Sequence, residues 1–144
     1  MEVRKLQAED IIAIKDDLIE QRDIFRDMTD ESIKTLASIG LSFTCFDGEK
    51  IIACYGGIKI GNTWNAWAIY SNKASCFTRA RAAVILREKL YEWKKNHPEC
   101  KLVFDIPSDL PKGERYGDFL GAEFIGVKQS ELFAGVENNI YEAI

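Results

Sequence analysis

The sequence predicts an α/β domain built around one mixed β-sheet, and three patterns lead to that prediction. Strand-like segments in the middle of the chain are joined by the short turns Asp47-Gly48 and Gly61-Asn62. A long helical pattern follows, from Phe77 to Asn96, and then a short apolar strand, Lys101–Ile106. A strand, a helix and a strand in this succession indicate a parallel crossover connection.

The predicted order of elements is β-α-α-β-β-β-α-β-α-β-β, with helices on both faces of the sheet. Thr29 is the expected N-cap of the second helix, and Gly40 is expected to end that helix. The first helix is recognised by an apolar stripe at helical spacing, formed by Ile11, Ile14, Leu18 and Phe25. The strands are expected at 2–6, 41–46, 50–60, 63–71, 101–106, 122–128 and 132–144, and the helices at 7–25, 30–39, 77–96 and 111–120.

The composition narrows the class of protein. The chain has 144 residues and a formal net charge of -4, and no linker-like tract interrupts it, so residues 1–144 are expected to form a single domain. That charge argues against wholesale binding to nucleic acid or to an anionic membrane. The sequence has no apolar run of membrane-spanning length and no signal-peptide pattern, so a cytoplasmic protein is expected.

The cysteines and the single histidine do not form a metal-binding pattern. None of the four cysteines lies in a C-x-x-C pair, and His97 is expected to be structural at a helix end. Three of the thiols fall in strand-like runs and are expected to pack in the core. Cys76 precedes a helix, where a thiolate would be stabilised, but a small loop residue is the alternative interpretation.

The passage from the third central strand into the long helix is the predicted functional site. Unpaired backbone N–H groups and the positive end of the dipole make the start of such a helix an anion site. Arg79 and Arg81 lie early in the helix and Lys73 lies in the loop, so all three could bind phosphate or could belong to a solvated face. Trp64 and Trp67 on the preceding strand are expected in the core.

This order of elements, at this length, resembles the GNAT superfamily of acyl-CoA-dependent N-acyltransferases. Three stretches carry the resemblance: residues 67–93, residues 101–109, and Tyr116–Phe124, which is similar to the family's Y-x-x-x-G-F ending of the last helix. The nearest match to the family's pyrophosphate loop, Q/R-x-x-G-x-G/A, is Arg79–Val84, where alanine and valine replace the glycines.

The resemblance implies an acetyl-CoA-dependent N-acetyltransferase that acts on an amine, of a small molecule or a protein, by direct attack. Tyr116 would protonate the departing thiolate, or it is a packing aromatic. Asp109 stands near the family's asparagine position, with an N-cap as the alternative role. The implied cofactor-binding residues are Ile69, Tyr70, Ser71, Lys73, Arg79, Ala80, Arg81, Ala82 and Asp109. The implied acceptor-binding residues are Phe25, Arg26 and Met28.

A second interpretation remains open at this point. The missing glycines also fit a catalytically inactive GNAT-fold protein with a structural or interaction role. The chain resembles phage-borne GNAT-like proteins at Ser71-x-Lys73-Ala74 and at Leu120–Phe124, and a phage origin would place it in a virion. The sequence leaves the acceptor unidentified and a homodimer open.

Overall fold

The computed structural model describes residues 1–19, 27–39, 41–108, 113–129 and 137–143. The helices are α1 (Ala8–Ile14), α2 (Asp30–Ser38), α3 (Cys76–Asn96) and α4 (Gly113–Phe119), and a 3-10 turn spans Lys15–Asp17. The strands are β1 (Glu2–Lys5), β2 (Leu41–Asp47), β3 (Lys50–Ile60), β4 (Thr63–Tyr70), β5 (Lys101–Pro107), β6 (Ala122–Gln129) and β7 (Glu137–Ala143). The predicted order of helices and strands is confirmed, with the 3-10 turn as an addition.

The strands form one mixed sheet in the order β1-β2-β3-β4-β5-β7-β6. Strands β4 and β5 pair in parallel, Thr63–Asn65 against Lys101–Val103, as the helical crossover between them predicts. The pairs β1–β2, β2–β3, β5–β7 and β6–β7 are antiparallel. The α/β fold class is therefore confirmed.

The chain divides into two compact units. The first unit contains residues 1–58 and 67–86, and the second contains residues 59–66 and 87–144. The first unit has a core that α1, α2, β3 and β4 supply. Its buried members are Leu6, Ala8, Ile11, Ile14, Leu18, Ile33, Cys54 and Ile69. Trp67 packs against this core, in agreement with the packing role predicted for it.

The second unit has a smaller core around two tryptophans. Trp64 of β4 and Trp93 of α3 lie with their ring centroids 4.6 Å apart. His97 stacks on Trp93 at 4.6 Å, and its Nδ1 lies 3.0 Å from the Trp93 carbonyl oxygen. The structural role predicted for His97 and the core position predicted for Trp64 are both confirmed.

The first helix is shorter than the apolar stripe predicted. Helix α1 ends at Ile14, and Leu18 is extended and forms an isolated antiparallel bridge with Ser71. Leu18 is still buried, and the amide of Ile19 donates to the Tyr70 carbonyl oxygen at 3.1 Å. Pairing with the end of β4 therefore overrides the local helical pattern. Phe25 and Gly40 lie outside the described residues.

Two of the predicted turns and one helix end have the backbone that their glycines favour. Gly48 and Gly61 have φ angles of 63° and 62°, and Gly121 ends α4 with φ 71°. Within the described residues α4 begins at Gly113, later than the predicted start, and β7 begins at Glu137. Among the parts of the chain that the structure describes, no helix is both long and apolar enough to cross a membrane.

Candidate functional site

The turn between β4 and α3 is organised by Ser71. This residue is 2% exposed, and its amide donates to the Ile52 carbonyl oxygen of β3 at 2.9 Å. The Ser71 hydroxyl oxygen accepts from the Lys73 amide at 3.2 Å, and the Ser71 carbonyl oxygen accepts from the Ala74 amide at 3.4 Å. A buried serine thus fixes the chain reversal with its own side chain and backbone.

A second segment of the first unit supports the same turn. The Asn72 amide donates to the Asp17 carbonyl oxygen at 2.6 Å, next to the bridge between Leu18 and Ser71. The Lys73 ammonium group lies 3.1 Å from the Asp17 carboxylate. This ion pair is partly exposed to solvent, and the role of Lys73 as a phosphate ligand stays a prediction. The Lys50 ammonium group donates to the Lys73 carbonyl oxygen at 2.9 Å.

Helix α3 begins with a capped and partly open first turn. The Ser75 hydroxyl oxygen accepts from the Thr78 amide at 3.1 Å, and the Ser75 carbonyl oxygen accepts from the Arg79 amide at 2.9 Å. Amides at positions N1 and N2 of a helix have no intrahelical acceptor. Within the described part of the chain, no hydrogen bond uses the amides of Cys76 and Phe77. These two amides are therefore free to donate hydrogen bonds to an anion.

Arg79 places a guanidinium group against this turn. Its Nη1 donates to the Ala74 carbonyl oxygen, and its Nη2 lies 3.2 Å from the Cys76 Sγ. The side chain thus folds back toward the start of its own helix. A guanidinium group has five N–H donors, so two contacts leave donors for a phosphate.

Among the described residues, side-chain hydrogen bonds tie Arg79 to the turn, and none is seen from Arg81. Residues two apart on a helix point in different directions, and Arg81 is exposed and acts electrostatically on the buried Cys45 thiol. Ala80 and Ala82 lie in α3 beyond its first turn, where amides are used by the helix itself. The match to the pyrophosphate loop at Arg79–Val84 therefore falls on helix, and the loop of this chain is residues 71–75.

The end of β4 supplies backbone groups and a core side chain. Ile69 is buried in the first core. Since the Ser71 amide is directed at β3, the alternation of a strand directs the Tyr70 amide away from β3. The Ser71 amide is already bonded to the Ile52 carbonyl oxygen and is therefore not free to donate to a ligand.

The thiols differ sharply in exposure. Cys45, Cys54 and Cys100 are buried, whereas Cys76 is exposed on the first turn of α3. Burial raises the pKa of Cys54 to about 12, although the hydroxyl of Thr44 works against this rise. Burial also raises the pKa of Cys45. The described residues hold no cluster of histidine, cysteine and carboxylate that could bind a metal ion.

Tyr116 belongs to α4 in the second unit, where close packing fixes the helix. A Cβ atom on Gly117 would lie 2.6 Å from a ring carbon of Tyr141, so a larger residue there would force this ring to shift. The Arg87 guanidinium group lies 4.3 Å from the centroid of the Phe119 ring and donates to the Phe119 carbonyl oxygen at 3.5 Å. Tyr116 is partly buried, and its role, as proton donor or as packing aromatic, stays a prediction.

The predicted acceptor site lies mostly where the structure gives no description. Phe25 and Arg26 fall outside the described residues, and so does Asp109. Met28 is partly buried and packs against the first core, and its carbonyl oxygen accepts from Lys15 at 3.4 Å. The roles of these four residues stay predictions.

Solved structures of acetyltransferases share this fold. A GNAT-family acetyltransferase from Bacillus anthracis matches with a TM-score of 0.70 and 13% identity, covering 99% of this chain and 93% of that one. A variant of spermidine N-acetyltransferase from Vibrio cholerae matches with a TM-score of 0.74 and 12% identity, covering 100% and 95%. The ribosomal-protein-S18-alanine N-acetyltransferase from Escherichia coli matches with a TM-score of 0.72 and 13% identity, covering 99% and 92%.

Sequence similarity is much weaker than this structural similarity. No family model and no curated protein sequence matches the chain. The structural matches cover nearly the whole chain and nearly the whole of each neighbour, so they are matches of complete folds. The chain therefore has the fold of the GNAT acetyltransferases.

Proposed function

We propose that this protein is an acetyl-CoA-dependent N-acetyltransferase that transfers an acetyl group to an amine. The observation that carries the proposal is the first turn of α3. There the Cys76 and Phe77 amides have no hydrogen-bond acceptor among the described residues, and the Arg79 guanidinium group lies beside them. The GNAT fold supports the same conclusion, since acetyltransferases share it.

The side chains that replace the family's glycines must leave room for a diphosphate at the proposed cosubstrate site. Glycine normally lets the backbone approach a phosphate because it has no Cβ atom in the way. Here the two replacements, Ala82 and Val84, both lie in α3 beyond its first turn, where Ala82 is fully buried. The side chains that replace glycine at these two positions therefore do not stand between the turn and a diphosphate. The residues present fit a diphosphate group.

The proposed reaction needs one N–C bond to form and one C–S bond to break. The acceptor amine must lose a proton to attack, because an alkylammonium group has a pKa near ~10.4. The attack turns the thioester carbonyl into an oxyanion, which a backbone amide at the end of β4 would stabilise. The thiolate of CoA leaves with the C–S electron pair and would take the proton of the Tyr116 hydroxyl. The proton that the new amide nitrogen must lose would then restore the tyrosine.

The structural neighbours do not identify the acceptor. One of them acts on spermidine and another on the alanine of ribosomal protein S18, and both share this fold with similar scores. A small polyamine and a protein N-terminus are therefore the first two acceptor classes to test. Loss of the thioester absorbance of acetyl-CoA at a fixed enzyme concentration measures turnover without a thiol reagent that would also react with Cys76.

The second candidate function is that of an inactive interaction module. Neither β4 nor the following Ser71 carries a carboxylate that could act as a general base. The two candidates give different results in the same assay. Acceptor-dependent loss of the thioester supports the enzyme, whereas acetyl-CoA that binds without turnover of any amine in a broad panel supports the module.

A further inference from the structure

Strand β6 ends the sheet and carries an unusual number of exposed apolar side chains. Its Phe124, Ile125 and Val127 are 53%, 53% and 54% exposed. The described strands place β7 on one side of β6 and none on the other. An edge strand with exposed apolar side chains can pair with a strand of another chain. Many proteins prevent this pairing with charged side chains on the edge strand.

A β-bulge in β6 determines which face of the sheet each of its side chains occupies. The pairing with β7 passes from Phe124 opposite Tyr141 directly to Gly126 opposite Ile140, so Ile125 is the extra residue. Residues whose partners are two apart on β7 lie on the same face. Phe124 faces Tyr141 and Val127 faces Asn139, and therefore the two apolar side chains share one face.

The charged residues of β6 lie on the opposite face. Glu123 is paired with Glu142 and Lys128 with Asn138, and these partners are four residues apart. Both charges therefore point away from the face that carries Phe124 and Val127. Without the bulge, Phe124 and Val127 would lie on opposite faces, because their separation in sequence is odd.

We propose that β6 pairs with β6 of a second copy of this chain, antiparallel and centred on the bulge. A two-fold axis perpendicular to the sheet keeps each face on its own side. In the register centred on Ile125 and Gly126, Phe124 lies opposite Val127 of the second copy and Glu123 lies opposite Lys128 of the second copy. Symmetry makes each of these pairs twice, so the dimer gains four favourable cross-strand pairs.

Charge complementarity selects a second copy over a different partner. An unrelated strand would have to supply a positive and a negative charge at the right distance on one face, whereas β6 supplies both to itself. The strand has eight residues, which makes an interface smaller than that of a typical stable complex. A reversible dimer with a dissociation constant in roughly the micromolar range is therefore expected. This proposal does not rest on the proposed function.

A charge-exchange experiment tests the register. Glu123→Lys leaves only positive charge at the two positions, and Lys128→Glu leaves only negative charge. Each variant alone should dimerise at least about tenfold more weakly than the natural chain by sedimentation equilibrium. An equimolar mixture of the two should form a heterodimer with near-natural affinity, and so should the homodimer of the double variant Glu123→Lys/Lys128→Glu.

Two controls keep the test decisive. Glu49→Lys makes the same charge change at an exposed turn position and should leave the dimer unchanged. Circular dichroism of each variant checks folding, because Lys128 lies near Asp105, and Glu123 pairs with Glu142. A natural chain that stays monomeric at about 1 mM, or single variants that dimerise as well as it does, would overturn the proposal.

Discussion

The turn before α3 and the helix α4 are held in place by different kinds of interaction. The turn is fixed by polar contacts, with the Ser71 and Ser75 hydroxyl groups bonded to backbone amides and Arg79 bonded to a carbonyl oxygen. Helix α4 is fixed by close packing of Gly117 on Tyr141 and by the stacking of Arg87 on Phe119. The first region presents donors to a ligand, and the second positions one candidate side chain, Tyr116.

Under the proposed function, this difference would separate cosubstrate binding from chemistry. The donors at the turn are mostly backbone groups, which substitutions cannot remove, so binding should survive many mutations. The proposed proton transfer depends on a single hydroxyl group, which one substitution removes. The comparison predicts that variants of the turn change affinity, whereas variants of α4 change turnover or stability.

The largest effect is expected at Tyr116. Tyr116→Phe should lower kcat by about 100-fold or more, because positioned proton transfer contributes on that scale, and should leave the affinity for acetyl-CoA unchanged. Tyr91→Phe is a matched control in the second unit, since Tyr91 lies close to Gly121 at the end of α4. A Tyr116→Phe enzyme that keeps more than a third of the natural kcat would leave the hydroxyl only a packing role.

The packing of α4 is tested at Gly117. Gly117→Ala forces a methyl group into the ring of Tyr141 and should lower the free energy of unfolding by about 1–3 kcal/mol. Gly126→Ala adds the same atom where nothing lies within 4 Å and is the control, measured by urea denaturation at low protein concentration. Equal stability of the two variants would show that α4 is not held by this contact.

The exposed thiol reports on the turn. Cys76 lies 3.2 Å from Nη2 of Arg79, so a diphosphate bound there should slow alkylation of Cys76 by iodoacetamide by about tenfold. The buried thiols are an internal control, because burial raises the pKa of Cys54 to about 12 and keeps it unreactive near pH 8. Mass spectrometry of peptides locates the label. If saturating acetyl-CoA leaves the rate of Cys76 alkylation unchanged, the ligand binds elsewhere.

The smallest effect is expected at the helix cap. Ser75→Ala removes the acceptor for the Thr78 amide and should cost about 1 kcal/mol of stability, with only a few-fold loss of acetyl-CoA affinity. Ser75→Asp keeps an acceptor and should retain the stability while it weakens binding of the anion. Thermal unfolding with and without acetyl-CoA measures both quantities. Full stability of Ser75→Ala would argue against the cap.

The sequence predicts most of the fold because its elements follow simple periodicity. The turns at Gly48 and Gly61 and the end of α4 at Gly121 follow from the freedom of glycine at positive φ. The end of α1 could not be predicted, because Leu18 keeps the helical spacing while a tertiary bridge to Ser71 makes it extended.

The candidate site was harder to place because its motif is degenerate. The nearest match to the glycine motif, Arg79–Val84, is helical and begins eight residues after the start of the loop at 71–75. Ser75 followed by Thr78 is a capping signal that would have located the helix start correctly. No local pattern could reveal that Arg79 folds back on the turn while Arg81 does not, since both are arginines early in the same helix.

Isothermal titration of acetyl-CoA into the natural chain, Arg79→Ala and Arg81→Ala measures whether the first turn of α3 binds the cosubstrate. We expect roughly micromolar affinity for the natural chain, at least about tenfold weaker binding for Arg79→Ala, and little change for Arg81→Ala. Both variants lose one positive charge, so a difference between them reports on position and not on net charge. No binding to the natural chain at millimolar acetyl-CoA, or equal losses in the two variants, would contradict this expectation.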